Sequence, residues 1–78
     1  MFKQLDAVVL ERDLPEHSLR KGDLGAVVHI HDETRLEVEF VRVSGRTQAV
    51  VELAAGDVRP VRDEDLPAVR SVSARGAG

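Results

Sequence analysis

The sequence contains no cysteine, no tryptophan and no tyrosine, and it has only two phenylalanines. The absence of cysteine excludes disulfide bonds, thiolate zinc sites and cysteine nucleophiles. The shortage of aromatic rings argues against stacking on nucleic-acid bases and against recognition of proline-rich peptides in aromatic-lined grooves. A formal net charge of −3 also lacks the basic excess on which nucleic-acid binders rely. These absences argue against nucleic acid as the partner.

Long apolar runs are missing as well. No stretch has the length of a signal peptide or of a membrane-spanning helix, so we expect a cytoplasmic protein with no membrane partner. The 78 residues suit one domain, and a domain of this size buries only about 60% of the surface that its unfolded chain exposes. Because so small a core leaves little room for an enclosed active site, we expect a shallow groove or a flat face.

The sequence carries no recognisable catalytic motif. It has no phosphate-binding glycine-rich loop, no dinucleotide fingerprint and no nucleophile elbow. His17 stands alone in a polar loop, without a nucleophile in a recognisable motif beside it. The sequence therefore predicts a protein that is not an enzyme, takes no cofactor and has no small-molecule substrate.

Alternation of apolar and polar residues predicts five short strands. They cover residues 5–11, 23–31, 36–43, 47–53 and 59–61. A long loop over 12–22 separates the first two strands, and a single helical turn at 54–58 precedes the last one. This order predicts an all-β fold, a small five-stranded SH3-like barrel over residues 1–62, followed by a flexible C-terminal tail over residues 63–78.

A Lys-Gly-Asp turn leads into the second strand. Gly22 can adopt the positive φ that the turn needs, Asp23 can accept hydrogen bonds from turn amides, and Gly25 can let the strand bend. In the loop before the turn, Leu14 and Leu19 are predicted to point inward as anchors. Ordinary turn chemistry thus accounts for the motif without a ligand.

Two histidines and two glutamates face each other in the predicted hairpin of the second and third strands. The inner face is predicted to carry Ala26, Val28 and Ile30, and the outer face Val27, His29 and His31. The pairing places His31 opposite Glu37 and His29 opposite Glu39, which favours a cross-strand ladder. Histidine and carboxylate also bind zinc or nickel. The group would lie open on an exposed face, so we expect no metal.

The next predicted hairpin joins the third and fourth strands. Residues 44–47 fit a two-residue type II′ turn with Gly45 first. This turn sets a register that pairs Val41 with Val50, Phe40 with Val51, and Val38 with Leu53.

That register puts an apolar cluster on the outer face, consisting of Val41, Val43 and Val50 and called here the valine face. Exposed apolar clusters rimmed by charge mark association sites, and Arg42 and Arg46 supply the rim. The alternatives are a bulge that turns these valines inward or a C-terminal tail that covers them. A second candidate contact lies in the first loop at Leu14, Pro15 and Glu16. The sequence thus predicts a non-catalytic protein–protein interaction module that binds another protein or a second copy of itself.

The run LDAVVLERDLPEHSLRKGDLGAVV, followed by LEVEFV, GRT and DVRPV, resembles a bacterial family of small uncharacterised proteins, and the likeness covers residues 2–61. The resemblance implies an SH3-like fold without an established activity. It also implies a small bacterial partner, as in toxin–antitoxin-like pairs. The K-G-D-x-G-x-V turn is similar to KOW-type barrels and to the SH3-like domain of nitrile hydratase β subunits. KOW-like nucleic-acid binding through Arg20 and Lys21 is therefore the alternative function, and such binding would weaken steeply with salt.

Overall fold

The computed structural model of the chain describes residues 1–72. Its strands are β1 (Ala7–Leu10), β2 (Leu24–Ile30), β3 (Arg35–Val41), β4 (Thr47–Ala54) and β5 (Val58–Pro60). Neighbouring strands are antiparallel, and their order in the sheet is β4-β3-β2-β1-β5. The arrangement confirms the predicted all-β class and is consistent with a small SH3-like barrel.

Two single turns of 3-10 helix interrupt the strands. The first, Pro15–His17, lies in the long loop between β1 and β2, and the second, Ala55–Asp57, is the predicted helical turn before β5. A proline fits the first turn of a helix because its missing N–H would have no partner there. Ser18 ends the first turn in the left-handed conformation, with a φ of 59°.

The first loop closes one side of the core. Leu14 and Leu19 are 1% and 4% exposed. The Leu14 N–H donates to the Leu19 carbonyl at 2.9 Å, and the Leu19 N–H donates to the Leu14 carbonyl at 3.1 Å. Both leucines are thus the inward anchors that the sequence predicts. They complete a core to which every strand contributes: Val8, Leu10, Val27, Leu36, Val38, Phe40, Leu53 and Val58.

The turn into β2 follows the predicted chemistry. Gly22 has a φ of +99°, and Asp23 Oδ2 accepts a hydrogen bond from the Arg20 N–H at 2.8 Å. The Gly22 N–H donates to the Leu10 carbonyl at 2.7 Å, so the turn is tied back to the end of β1. This turn fixes the position of the Asp23 carboxylate at the entrance of β2.

The register between β2 and β3 differs from the prediction. Val27 lies opposite Val38, and a shift in register between Val27 and His29 marks a bulge at Val28. Val27 is fully buried, and Ala26 lies opposite the outward-facing Glu39. The prediction that Val28 and Ala26 face inward and Val27 outward is therefore wrong. The extra residue of a bulge reverses the alternation on one side of it.

The turn between β3 and β4 has three residues and not the predicted two. The Gly45 N–H donates to the Arg42 carbonyl at 2.8 Å, and the Arg42 N–H donates to the Arg46 carbonyl at 2.8 Å. Gly45, with a φ of +94°, occupies the last position of the loop. This is the pattern of a type I turn followed by a left-handed glycine.

The predicted pairs of this hairpin are wrong as a consequence. The observed partners are Val41 with Thr47, Glu39 with Val50, Phe40 with Ala49, and Val38 with Val51. A register shift between Phe40 and Val41 adjusts the strands near the turn. Along the rest of the hairpin the pairing differs from the prediction by two residues, and a shift of two leaves every side chain on its predicted face.

Candidate protein-interaction surface

The valine face is exposed. Val41, Val43 and Val50 are 48%, 95% and 51% accessible to solvent, and none of them belongs to the core cluster. The alternatives in which a bulge or the C-terminal residues bury these side chains do not hold for the described part of the chain. Val50 lies opposite Glu39 on the outer face, and Val43 lies in the turn just beyond β3.

Val41 belongs to an apolar strip that crosses three strands, consisting of Val9, Leu24 and Val41 and called here the outer strip. Val9 pairs with Leu24, and the register that joins Ala26 to Glu39 brings Val41 beside Leu24 when it is continued by two residues. Val8 and Leu10 belong to the core cluster, so alternation turns Val9 to the opposite face. Leu24 is 54% exposed, whereas Val9 is only 8% exposed.

The segment after β5, residues 61–72 and called here the strap, passes beside the outer strip. The Arg59 guanidinium donates two hydrogen bonds of 2.9 Å to the Asp65 carboxylate. Farther along, Arg70 donates to both oxygens of Asp23 and to the Ser18 carbonyl. The strap is therefore attached to the sheet at one end and to the turn before β2 at the other.

The electrostatics of these two attachments favour the ionised carboxylates. The hydrogen bond from Arg59 is the main cause that lowers the pKa of Asp65 to about 2. Burial opposes ionisation of Asp23, but hydrogen bonds from Arg70 and from the Arg20 N–H outweigh it and lower the pKa of Asp23. A lowered pKa means that an attachment is complete at neutral pH and is lost only as the pH falls through the lowered value.

The strap includes most of the segment for which the sequence predicts a flexible tail. Residues 63–72 make the contacts just described, and residues 73–78 lie outside the described part of the chain. The boundary at residue 62 and the flexibility of the tail stay predictions from the sequence. The attachments at Asp65 and Arg70 favour an ordered segment over residues 63–72 instead, and measurements of backbone motion distinguish the two.

Replacing Arg70 by glutamine is expected to release the strap. The backbone order parameters of residues 66–70, measured by ¹⁵N relaxation, should be close to the rigid value of about 0.85 in the wild type and fall below about 0.6 in Arg70→Gln. Arg62→Gln is the control, because the Arg62 side chain makes no ion pair with another described residue. A wild-type strap with order parameters already below about 0.6 would contradict the attachment.

Between the strap and β3 lies an open groove. On the sheet side it is lined by the outer strip and Val43, and on the strap side by Leu66 and Val69, both of which are 89% exposed. Among residues 1–72, five basic and two acidic side chains line it: Arg20, Lys21, Arg42, Arg59, Arg70, Asp23 and Asp65. The groove is thus positive on a chain whose net charge is −3.

Three of the basic side chains have no acidic partner in the described part of the chain. Asp23 and Asp65 pair with Arg70 and Arg59, whereas Arg20, Lys21 and Arg42 form no ion pair with another described residue. Arg42 is held by a hydrogen bond from its Nε to Gln48 at 2.8 Å. The Gln48 amide in turn donates to the His17 carbonyl at 3.1 Å.

The structure brings only part of the predicted contact set together. Val41, Arg42 and Val43 line the groove, while Arg46 and Val50 lie outside its lining. In the first loop Pro15 and Glu16 are exposed, but the 1% exposure of Leu14 removes it from any contact surface. The prediction that Leu14 is a contact residue is therefore wrong, because Leu14 anchors the loop in the core.

Two features of the surface were not predicted as parts of a binding site. Leu24 is the first residue of β2 and lies on the outer face beside its partner Val9. Nothing in the local sequence indicates that Arg70 returns to Asp23, 47 residues away.

Of the two predicted contacts between histidines and glutamates, only the one between His31 and Glu37 forms. His29 lies opposite Glu37, and the His31 Nε2 reaches the same Glu37 diagonally at 2.9 Å. Glu39 instead accepts a hydrogen bond from the Thr47 hydroxyl at 2.6 Å, so the predicted pair of His29 and Glu39 does not form. Within residues 1–72, no three His, Cys, Asp or Glu side chains are grouped to hold a metal ion.

Fold and surface together define a small all-β domain whose candidate site is an open surface groove. A family model described as Domain of unknown function (DUF4926) matches residues 4–60, and the chain belongs to this family. The match ends at Pro60, the last residue of β5, so the strap lies beyond it. A search of curated proteins and a search of solved structures each found no match. No helix within residues 1–72 has the length and apolar character to cross a membrane.

Proposed function

We propose that this domain is a non-catalytic protein–protein interaction module, acting in the cytoplasm through its valine face. Arg42 and Arg46 form the rim, and the first-loop residues Pro15 and Glu16 are a second contact. The observation that carries the proposal is the exposure of all three valines, above all Val43 at 95%. None of the three belongs to the core cluster, and exposed apolar patches mark association sites.

The size of the domain suits this function. A standard interface covers about 800 Å² on each partner, and the described chain has a total accessible surface of 5421 Å². One such interface would therefore occupy about a seventh of the surface. Burial of apolar area contributes about 25 cal/mol per Å² before the cost of association is subtracted. The valine face and the outer strip are the apolar areas that can provide this contribution.

The partner is either a second copy of the chain or another small protein. The resemblance of the sequence to small bacterial proteins encoded in pairs supports a separate small partner in a toxin–antitoxin-like arrangement. The outward position of Val50 on β4, a strand at the edge of the sheet, supports self-association, since an edge strand presents free backbone groups to another chain.

Light scattering of the wild type, Val43→Lys and Val50→Lys tests self-association. We expect the wild type to form a dimer or larger assembly at low and high salt, and we expect each lysine to weaken it about tenfold or more. Salt tolerance is expected because the contact is apolar. Glu33→Lys, in the exposed β2–β3 loop, is the control and should leave the assembly intact.

If the wild type is a monomer, the proposed function requires a different protein as the partner. A photo-crosslinking amino acid at position 43 should then yield one adduct of defined mass in cells that naturally make the protein, and the same group at position 33 should not. A monomer that gives no adduct specific to position 43 would contradict the proposed function.

One observation favours the alternative of KOW-like nucleic-acid binding, namely the five basic side chains that line the groove. The sequence supports it through the K-G-D-x-G-x-V turn, in which Lys21 lies. Against it, Phe40 is only 2% exposed and Phe2 packs against the core, so neither ring offers a stacking platform. Binding of a short RNA that requires Arg20 and Lys21 and weakens steeply with salt would establish this function instead.

A further inference from the structure

We propose that the groove between the strap and β3 binds an extended, acidic segment of a partner protein that carries aliphatic side chains. The inference rests on the proposed function and adds the chemistry of the partner to it. It differs in its binding surface as well, because the groove includes the strap and the basic side chains around the Lys-Gly-Asp turn.

The apolar lining determines which side chains the segment carries. Leu24, Val41 and Val43 on the sheet side are between 48% and 95% exposed, and Leu66 and Val69 on the strap are both 89% exposed. All five are aliphatic and flexible or branched. Among the described residues no fully exposed aromatic ring lines the groove, so leucine, valine or isoleucine side chains of the partner are the complementary groups.

The charged side chains of the groove determine the sign of the charge that the bound segment carries. Asp23 and Asp65 are already engaged by Arg70 and Arg59, so neither is free to balance the remaining cations. Arg20, Lys21 and Arg42 therefore leave the described residues that line the groove with a net positive charge, although the chain as a whole is acidic. The Asp13 carboxylate, which accepts a hydrogen bond from the Lys21 N–H at 2.8 Å beside the groove, offsets part of this charge. Complementary charge raises the rate of association and excludes partners of the wrong sign. An acidic segment fits these side chains, and a basic one is repelled.

The backbone of the strap favours an extended segment. From Leu66 to Val72, no backbone N–H or carbonyl of the strap is bonded to the backbone of another described residue. The strap is nevertheless held at Asp65 and Arg70, so its peptide groups lie between two attachments beside the groove. Backbone N–H and carbonyl groups without a protein partner can hydrogen-bond the main chain of an extended peptide that lies along them.

Selection from a library of random peptides tests the inference. A peptide of about ten residues is suitable, because it spans about 33 Å when extended, close to the 38 Å length of the molecule. We expect the enriched peptides to combine an excess of Asp and Glu with Leu, Val or Ile. Fluorescence anisotropy of the strongest peptide then measures its Kd with the wild type, Lys21→Glu, Lys3→Glu and Val43→Lys.

The Kd is expected to rise about tenfold or more in Lys21→Glu and to change less than about twofold in Lys3→Glu. Lys3 is the matched control because it undergoes the same change of charge at an exposed position outside the groove. The Kd should also rise with salt, as expected for charges on an exposed rim.

Three results would overturn the inference: no enriched peptide, enriched peptides without an acidic excess, or equal sensitivity to Lys3→Glu and Lys21→Glu. Displacement of the acidic peptide by a short RNA that binds more tightly would assign the groove to nucleic acid. Neutral peptides that bind the wild type but not Val43→Lys would overturn the acidic partner and leave the proposed function standing. Loss of both peptide binding and the position-43 adduct would remove the two together.

Discussion

Phe40→Ala is expected to lower the free energy of unfolding by about 3–5 kcal/mol. Phe40 is 2% exposed and is among the largest of the fully buried side chains. It lies on β3, between β2 and β4 in the sheet, so its removal leaves a cavity that neither strand can fill without losing its pairing. A domain of this length is stable by about 4–12 kcal/mol, and the change removes a large part of that.

Urea denaturation followed by circular dichroism measures this loss. Val43→Ala is the control, because Val43 is 95% exposed and its truncation should change the free energy of unfolding by less than about 0.5 kcal/mol. The same two variants separate folding from binding, since Val43 belongs to the proposed contact surface and Phe40 to the core. A loss below about 1 kcal/mol for Phe40→Ala would mean that the core around it is not close-packed.

The alternation of residues predicted the fold and most of the faces. Leu36, Val38 and Phe40 repeat with the period of a strand, and all three are buried. The loop anchors Leu14 and Leu19 were predictable for a related reason, since a leucine in an otherwise polar loop is most stable when it is buried in the core. These signals are local, which is why the sequence alone carries them.

The registers were not predictable in the same way. Bulges at Val28 and next to Phe40 depend on contacts between strands, and no residue in the sequence signals them. Their consequences differ. Near Val27 the bulge changed which side chain enters the core, whereas the two-residue error in the β3–β4 hairpin left Val41 and Val50 on the outer face. The wrong pairing therefore did not change which side chains were assigned to the outer face of this hairpin.

The positive groove could not be predicted from composition. The net charge of −3 sums over the whole chain and conceals how the charges are distributed in space. Lys21 and Arg42 lie on different loops, and Arg70 joins them only because the strap returns to Asp23. Such an arrangement arises from long-range contacts, for which a single sequence provides no periodic signal.

Gly25→Ala is expected to destabilise the domain by about 1–3 kcal/mol. A Cβ at this position would lie 2.6 Å from Val38 Cγ1, 2.9 Å from Phe40 Cε2 and 3.0 Å from the Glu39 carbonyl oxygen. Val38 and Phe40 are buried, and the carbonyl belongs to β3, so relief of the contact requires the strands to move. The lower entropy of the unfolded chain favours alanine by only about 0.4–1 kcal/mol, and the steric cost exceeds it.

Gly56→Ala is the matched control for the same measurement by urea denaturation. No atom lies within 4 Å of a Cβ built on Gly56, so the expected change ranges from none to a stabilisation of about 1 kcal/mol. Equal effects at the two glycines would show that β2 and β3 do not approach as closely as the structure indicates.

A double variant identifies the cause of the effect at Gly25. Gly25→Ala combined with Val38→Ala should be less destabilised than the sum of the two single variants, because the second change removes the atom that the new methyl group meets. Gly25 lies between Leu24 and Ala26 on β2, so a strand displaced by the methyl group also displaces Leu24 in the groove. Gly25→Ala is therefore expected to weaken peptide binding as well as folding, and the double variant should recover part of both.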